Sequence, residues 1–202
     1  MVAKLNIIIY SMYGHVYTLA KSIQMGAQKV PGVEVTLSQI AETLSDEVLT
    51  KMHAPPKPEL PIMDPSDLPN YDGYLFGIPT RYGNSPAQWR TFWDKTGGLW
   101  AKGGLVGKSA GTFFSTGSQH GGQETTALTF ITTLAHHGIN YVPLGYTHPA
   151  LTDNSEVVGG SAYGAGTVVG GDGSRQPSEK ELSIAAAQGE AFARYLVKQT
   201  SS

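Results

Sequence analysis

The sequence predicts an α/β protein in which a parallel β-sheet carries helices on both faces. Short apolar runs alternate along the chain with segments whose apolar residues recur at helical spacing. Such alternation favours right-handed crossovers within one parallel sheet. The strand-like runs are apolar on both sides, which is typical of strands that helices cover from two directions. Because 202 residues suffice to bury one sizeable core, we expect a single domain over 1–202.

The individual elements follow from the apolar pattern and from the residues that interrupt it. The first strand is expected at residues 5–10, and the apolar stripe from Val16 predicts a helix that ends at Pro31 and Gly32. Ser178 and Glu181 form a capping box that opens the last helix. The other expected strands are residues 33–37, 74–78, 110–114 and 141–142, and the other expected helices are 89–95 and 123–137, the latter with Gly138 as C-cap.

The predicted helix at 123–137 is rich in threonine, which is a poor local helix former. Its apolar residues nevertheless share one face, which indicates burial against the sheet. We therefore expect tertiary packing to stabilise this helix. The threonines are Thr125, Thr126, Thr129, Thr132 and Thr133, and the apolar face contains Ala127, Ile131, Leu134 and Ala135.

Two long stretches lack the periodicity of helices or strands. Residues 52–70 contain six prolines, and residues 146–177 are rich in glycine. Loops of this length in a compact domain are usually functional or disordered. The glycine-rich stretch also contains Tyr163, Val168 and Val169, so we expect an ordered insertion that meets a ligand or another subunit. The proline-rich stretch is interpreted as a surface connection, because proline stiffens loops without needing a ligand.

Composition excludes several classes of function. Sixteen acidic and 14 basic residues give a net charge of −2, which does not indicate binding to nucleic acid or an anionic membrane. The absence of cysteine excludes disulfides, thiolate metal sites and a thiol nucleophile. The six histidines lack the spacing of a metal site, so no metal is expected. Without a signal peptide or an apolar run of about 20 residues, a cytoplasmic protein is expected.

The loop at residues 11–15 stands where the first strand ends and the first helix begins. In a parallel sheet, ligands bind beyond the carboxyl ends of the strands. The helix that follows offers free N–H groups and a positive dipole end, which suit a phosphate. Ser11 and Thr18 add hydroxyl groups, and Gly14 allows close backbone approach. For this loop alone, a simple tight turn at Gly14 is an equally good interpretation.

Two other phosphate-binding motifs do not fit the spacing. The dinucleotide fingerprint G-x-G-x-x-G fails because Gly14 is the one glycine of the loop. Residues 103–109 read GGLVGKS, but the P-loop pattern requires a glycine where Lys102 stands. That segment also precedes its strand, whereas a P-loop follows one. We therefore reject hydrolysis of a nucleoside triphosphate.

Loops after the third and fourth strands are expected to meet the first loop at the same edge of the sheet. Residues 79–84 read PTRYGN and residues 115–122 read STGSQHGG. Loops rich in glycine, hydroxyl and aromatic residues suit a flat heteroaromatic ring held by backbone hydrogen bonds and stacking. A phosphate at the first loop and a ring between the other two describe flavin mononucleotide, FMN.

Six blocks of sequence, in order along nearly the whole chain, resemble the WrbA family of flavodoxin-like NAD(P)H:quinone oxidoreductases. They read YSMYGH, PTRYGN, TGGLWA, STG followed by GGQE, LAHHG and GGDGSRQPS. The resemblance implies a flavodoxin-like three-layer sandwich with a five-stranded parallel twisted sheet in the order 2-1-3-4-5. It also implies bound FMN, ping-pong reduction of quinones by NADH or NADPH, protection against quinone and oxidative stress, and usually a homotetramer, with a dimer as the alternative.

The resemblance also assigns roles to residues. The long insertion at 146–177 would serve assembly and shape neighbouring sites. Ser118-Gln119-His120 departs from the Thr-Gly-Gly pattern of the family, which leaves the contacts of this stretch open. The residues implied to bind FMN are Ser11, Met12, Tyr13, Gly14, His15, Val16, Pro79, Thr80, Arg81, Tyr82, Gly83, Ser115, Thr116, Gly117, Gly121 and His136.

Three residues match positions that bind the nicotinamide or the quinone over the flavin. Tyr13 and Trp100 would stack on the aromatic substrate, and His136, or a water molecule that it holds, would supply a proton to the reduced quinone. Trp100 has packing at an oligomer surface as its alternative interpretation. Because His136 and His137 are adjacent on a helix, they point about 100° apart and cannot both face one ligand.

Two other functions remain as alternatives. A one-electron flavodoxin-type carrier shares the fold but usually docks its protein partners through an acidic surface, which a net charge of −2 disfavours. A regulatory or scaffold flavoprotein without enzymatic activity is the third interpretation. No basic patch or lipidatable cysteine supports it.

Overall fold

The computed structural model describes residues 2–201, which form one seven-stranded sheet with helices on both faces. The strands are β1 (Ala3–Ile9), β2 (Val33–Gln39), β3 (Gly73–Pro79), β4 (Ser109–Thr116), β5 (Asn140–Tyr141), β6 (Gly160–Ser161) and β7 (Gly164–Val168). The helices are α1 (His15–Ala27), α2 (Asp46–Lys51), α3 (Ala87–Asp94), α4 (Gly97–Ala101), α5 (Thr125–His136) and α6 (Glu179–Thr200), with short 3-10 helices at Pro65–Asn70 and Pro149–Thr152.

The sheet confirms the α/β class and corrects the number of strands. Strands run in the order β2-β1-β3-β4-β7-β6, and β5 also pairs with β4. The expected fifth strand is divided, because β5 pairs with the start of β4 and β7 pairs with its end. Both pairings are parallel, whereas β6 is antiparallel to β7. The sheet therefore has seven strands rather than five, and the glycine-rich insertion supplies β6 and β7.

Two apolar layers sandwich the sheet, as the two-sided apolar strands predict. On one face, Leu5, Ile7 and Ile9 of β1 pack with the buried sides of α1 and α6. On the other face, Ile8 and Phe76 pack with α3 and α5. Successive residues of β1 thus face opposite layers, which follows from the two-residue period of a strand.

Helix ends agree closely with the sequence. The capping box of α6 is present, with Ser178 and Glu181 each bonded to the other's backbone. Gly138 follows α5 with φ of +69°, and its N–H donates to Ala135 O at 3.0 Å, as expected for a glycine that ends a helix. Helix α1 ends earlier than Pro31, because Val30 N–H bonds to Ala27 O in a closing turn.

The threonines of α5 bind a neighbouring loop. The hydroxyls of Thr126 and Thr80 lie 2.6 Å apart, and Thr129 Oγ1 donates to Gly83 O at 3.3 Å. These bonds attach α5 to the loop after β3. Tertiary contacts therefore account for a helix that local propensity disfavours.

Within residues 2–201, no helix combines the length and the apolar composition of a bilayer-spanning segment.

Candidate functional site

A cavity lies where β1, β3 and β4 end, at the carboxyl edge of the sheet. Its volume is about 100 Å³, and a wider groove of about 570 Å³ adjoins it. The groove falls within the range of roughly 300–1,000 Å³ that is typical of ligand pockets. The cavity is lined by Ser11, Met12, Tyr13, His15, Val16, Pro79, Thr80, Arg81, Ser115, Thr116, Gly117, Val169 and Gly173.

The loop after β1 opens α1 with an N-cap residue that has no side chain. Gly14 is the N-cap residue, has φ of +88°, and offers no side chain to bind the first N–H groups of the helix. A Cβ at Gly14 would meet nothing within 4 Å, so backbone conformation rather than crowding requires glycine here. Ser11 is buried, and its hydroxyl accepts from Tyr17 N–H at 3.4 Å. Free N–H groups and a buried hydroxyl make this loop suitable for an anion.

Thr18 does not add a hydroxyl donor to this loop. Its Oγ1 donates to Gly14 O at 3.2 Å and is thereby engaged within the helix. Tyr13 lies partly outside the cavity, and its hydroxyl donates to Met52 O at 3.1 Å. The beginning of the proline-rich segment therefore borders the site.

The loop after β3 turns back sharply at Tyr82 and Gly83. Arg81 and Asn84 exchange two backbone hydrogen bonds of 2.7 and 2.9 Å across the turn. Both turn residues have positive φ, +54° at Tyr82 and +72° at Gly83, which is uncommon for a bulky residue such as tyrosine. The Tyr82 side chain is fully exposed. The turn therefore projects Tyr82 away from the cavity, while Thr80 and Arg81 remain in its wall.

The loop after β4 is held in place by Gln123. Its side-chain amide donates to Thr116 Oγ1 and to Thr167 O, and its amide oxygen accepts from Gly160 N–H. Gln123 thus joins the end of β4 to β6 and β7. This attachment explains why Ser115 and Thr116 are buried at the cavity wall.

The close approach of the loops after β3 and β4 depends on Gly122. Its φ is +113°, and a Cβ there would lie 3.0 Å from Gly83 Cα and 3.1 Å from Thr80 Cγ2. Gly121, by contrast, lies in the turn that its N–H closes by donating to Ser118 O at 3.1 Å. The stretch with Gln119 and His120 lines a separate cavity of about 360 Å³.

The far wall of the cavity comes from the glycine-rich insertion. Val169 and Gly173 line it, and the buried His15 faces this segment. Burial lowers the pKa of His15, although backbone carbonyls of Arg175 and Gly173 oppose the shift. A neutral imidazole is therefore expected beside the cavity at pH 7.

The structure brings together most of the residues predicted for the site. Those that line the cavity come from all three loops. Gly14, Tyr82 and Gly83 belong to the same loops but do not line it, and Gly121 lies in the turn beyond Gly117. Residues at the site that were not among the predicted site residues are Val169, Gly173, Gln176, Met52 and Gln123. Gly173 and Gln176 lie in the GGDGSRQPS block and Gln123 lies in the GGQE block, while Val169 belongs to the insertion that was expected to meet a ligand or another subunit.

Trp100 and His136 lie away from the cavity of their own chain. Helix α5 begins beside Gly83 and extends about 18 Å before it reaches His136. Asn140, just beyond, pairs with Ser109 at the start of β4, which is the amino edge of the sheet. Trp100 lies on α4, which comes before β4 in the chain and therefore leads into that same amino edge of the sheet. Both side chains are exposed, Trp100 by 59%.

His137, unlike the exposed His136, is packed inside the protein. It is buried, its Nε2 lies 2.9 Å from Thr96 Oγ1, and its ring packs 5.4 Å from that of Trp93. Because the Thr96 hydroxyl donates to Trp93 O, His137 Nε2 must be the donor toward Thr96. Burial lowers the pKa of His137, as does the neighbouring His136.

Across residues 2–201, no group of three or more His, Cys, Asp or Glu side chains is arranged to hold a metal ion.

Sequence comparisons match this chain to a family and to named relatives. The model of the family described as NADPH-dependent FMN reductase matches residues 11–148. The chain is 56% identical over 195 residues to NAD(P)H quinone oxidoreductase PST2 of Candida albicans, which covers 96% of each chain. It is 56% identical over 205 residues to quinone-oxidoreductase QR2 of Triphysaria versicolor, with 100% of each chain covered.

Solved structures share the fold at low sequence identity. A flavodoxin described as a WrbA-like protein from Agrobacterium tumefaciens superposes with a TM-score of 0.67 and 21% identity, covering 98% of each chain. Flavodoxin 2 of Bacillus cereus gives a TM-score of 0.59 at 18% identity, with 98% of this chain and 99% of that one covered. The fold is therefore flavodoxin-like.

Proposed function

The chain belongs to the NADPH-dependent FMN reductase family, and we propose on this premise that it is an FMN-dependent NAD(P)H:quinone oxidoreductase of the WrbA type. It reduces quinones by two electrons to hydroquinones in a ping-pong mechanism, in the cytoplasm, and protects against quinone and oxidative stress. Relatives named as quinone oxidoreductases support the substrate class. The observation that carries the proposal is that the loops after β1, β3 and β4 meet in one cavity.

The residues of this cavity fit FMN. The N–H groups at the start of α1, with the buried Ser11 hydroxyl, suit the phosphate, and Gly14 leaves open space in front of the loop. The loops after β3 and β4 offer neutral side chains, backbone groups and Arg81, which suit the ribityl chain and the flat ring. FMN would thus be bound by Ser11 to Val16, by Pro79 to Gly83, and by Ser115 to Gly117, with Gly121 supporting the last loop.

Bound FMN supplies the hydride acceptor and donor for both half-reactions. The chain supplies position and exclusion of water. Tyr13, 45% exposed at the mouth of the cavity, offers a ring on which a nicotinamide or a quinone stacks in turn. Burial lowers the pKa of His15, so its imidazole adds no positive charge toward the phosphate at pH 7, and the backbone N–H groups and the Ser11 hydroxyl of the loop would bind the phosphate.

We assign Trp100 and His136 to the site of a second copy of the chain. Neither residue lines the cavity of its own chain, and both are exposed near the amino edge of the sheet. In a homotetramer these surfaces would face the carboxyl edge of a neighbour. Trp100 would then cover the bound substrate, and His136 would donate the proton from its imidazole nitrogen to the reduced quinone oxygen. His136→Gln should therefore lower quinone turnover while leaving FMN binding to an isolated chain unchanged.

The deciding experiment separates the two half-reactions. NADH is added anaerobically to the FMN-loaded protein, and benzoquinone follows, while the visible flavin absorbance is recorded. We expect bleaching with NADH and full recovery with benzoquinone. Bleaching by dithionite but not by NADH or NADPH would contradict the proposal and favour a one-electron carrier. Failure to bind FMN by an intact oligomer would favour the regulatory function instead.

A further inference from the structure

A lysine from the proline-rich segment lies beneath the loop after β1. Lys57 Nζ donates to Ser11 O at 3.0 Å and lies 2.9 Å from Glu42 Oε2. The ammonium group is also 4.4 Å from the centre of the Tyr10 ring. The side chain is only 26% exposed. This segment was predicted to be a surface connection, yet it sends a charged group to the backbone of the candidate phosphate loop.

Glu42 fixes the position of this lysine. Its carboxylate accepts hydrogen bonds from the Tyr10 hydroxyl at 2.9 Å and from Gln88 Nε2 at 3.0 Å. The backbone N–H groups of Thr43 and Leu44 donate to it as well. Burial opposes ionisation, but the bonds from Lys57 and the backbone outweigh it and lower the pKa of Glu42 to about 2. Lys57 therefore meets a carboxylate that is charged and already oriented.

The bond from Lys57 determines the direction of one peptide group. Among the described residues no peptide bond is cis, so the C=O of Ser11 and the N–H of Met12 point in opposite directions. Lys57 holds the C=O and does not line the cavity, whereas Ser11 and Met12 do. The Met12 N–H is thus turned away from Lys57, and both residues that share this peptide line the cavity. A charge-assisted bond to the carbonyl also polarises this N–H and strengthens it as a donor.

We propose that Lys57 is a positioning residue for the phosphate of the bound flavin, acting through the Ser11–Met12 peptide. Glu42 balances the charge of Lys57, so the effect on the phosphate comes mainly from the orientation and polarisation of the Met12 N–H. This inference rests on the proposed function, because it assumes that the phosphate of FMN binds at the start of α1. It predicts a lysine whose loss weakens the recognition of the phosphate rather than of the ring.

The test compares two ligands that differ in the phosphate alone. Dissociation constants for FMN and for riboflavin are measured by calorimetry on the full chain and on Lys57→Met. We expect the affinity for FMN to fall about tenfold, the loss of one charge-assisted hydrogen bond, and the affinity for riboflavin to stay unchanged. Lys57→Arg should recover most of the lost affinity. Lys51→Met is the matched control, since Lys51 is 72% exposed and paired only with Glu47 at the surface of α2.

The outcomes distinguish this inference from the proposed function. Equal losses for FMN and riboflavin in Lys57→Met, or an unchanged affinity for FMN, would overturn the positioning role while leaving the cofactor assignment intact. A wild-type chain that binds neither flavin would overturn the cofactor assignment and this inference with it. If Lys57→Met melts at a much lower temperature than Lys51→Met, Lys57→Gln replaces it. That variant keeps a polar side chain with an N–H donor at position 57 but removes the charge, and a selective loss of about threefold for FMN is expected.

Discussion

The proline-rich segment 52–70 and the glycine-rich segment 146–177 both reach the candidate site, but they do so by different means. The first stays outside the sheet, apart from a bridge between Ile62 and Gln39, and contributes the Lys57 side chain. The second inserts β7 beside β4 as part of the sheet itself. The backbone with the prolines thus stays beside the sheet and buries only side chains such as Met63 and Leu68, whereas glycine at position 164 allows the other backbone to pack directly against β4.

Buried contacts tie the glycine-rich segment to the rest of the protein. Gly164 is so close to β4 that a Cβ there would lie 1.8 Å from Thr112 O. Glu181 of α6 is fully buried and accepts hydrogen bonds from Arg175, Gly159 and Val168. The segment is therefore a structural part of the fold, and the comparison predicts that its disruption costs more stability than disruption of the proline-rich segment.

The largest loss of stability is expected from Glu181→Ala. The change leaves Arg175 without its carboxylate and removes the acceptor of Gly159 N–H, of Val168 N–H and of the Thr167 hydroxyl. Breaking one partner of a buried ion pair costs about 3–5 kcal/mol in the free energy of unfolding. Urea denaturation at pH 7 measures this loss in the free energy of unfolding. Glu179→Ala, an exposed change in the same helical turn, is the control, and an equal loss in both variants would contradict the prediction.

A smaller loss is expected from Gly164→Ala. The added methyl group would overlap Thr112 O, so β7 must move away from β4. Overpacking of this kind costs about 1–3 kcal/mol. Gly171→Ala is the matched control within the same segment, because a Cβ at Gly171 meets nothing within 4 Å. Thermal denaturation of both variants would show the difference, and equal melting temperatures would mean that the insertion is not part of the cooperative fold.

Glu42→Gln tests the attachment of the proline-rich segment to the site through the pH dependence of the free energy of unfolding. The pKa of Glu42 in the folded protein is about 2, below its ordinary value, so its contribution to stability is present above about pH 4.5 and is lost as the pH falls toward 2. We expect the variant to be about 1–2 kcal/mol less stable than wild type at pH 6. This difference in stability between the variant and wild type should disappear as the pH is lowered. Unfolding curves between pH 6 and 2.5 measure it, and a gap that stays constant would exclude the titration of Glu42 as its cause.

The smallest effect is expected from Tyr13→Phe. It removes the bond from the Tyr13 hydroxyl to Met52 O, which lies in an exposed position. Such a bond contributes less than about 1 kcal/mol to the free energy of unfolding. A loss above that value, measured in urea, would mean that the start of the proline-rich segment is attached to the site more firmly than its contacts indicate.

Much of the site could be predicted because the loops of a parallel sheet meet at one edge. Ser11, Thr80 and Ser115 each follow a strand that the apolar pattern identified, and the topology then brings them together. Lys57 could not be found in this way, because it acts on a loop distant in sequence and belongs to no local pattern that distinguishes it from a surface residue. Gln123 stands in the GGQE block, but its bonds to Thr167 and Gly160 depend on contacts between segments far apart in the chain.

Sequence patterns alone predict the α/β class, the order of the main elements and the three loops at the carboxyl edge. These features follow from apolar periodicity and from local caps, which act over a few residues. Three other features arise from the packing of distant segments: the fifth strand position is divided between β5 and β7, His136 lies away from the cavity of its own chain, and Lys57 donates a hydrogen bond to Ser11 O. Those outcomes depend on close approach and hydrogen bonding between segments far apart in the chain, and local sequence patterns do not encode such contacts.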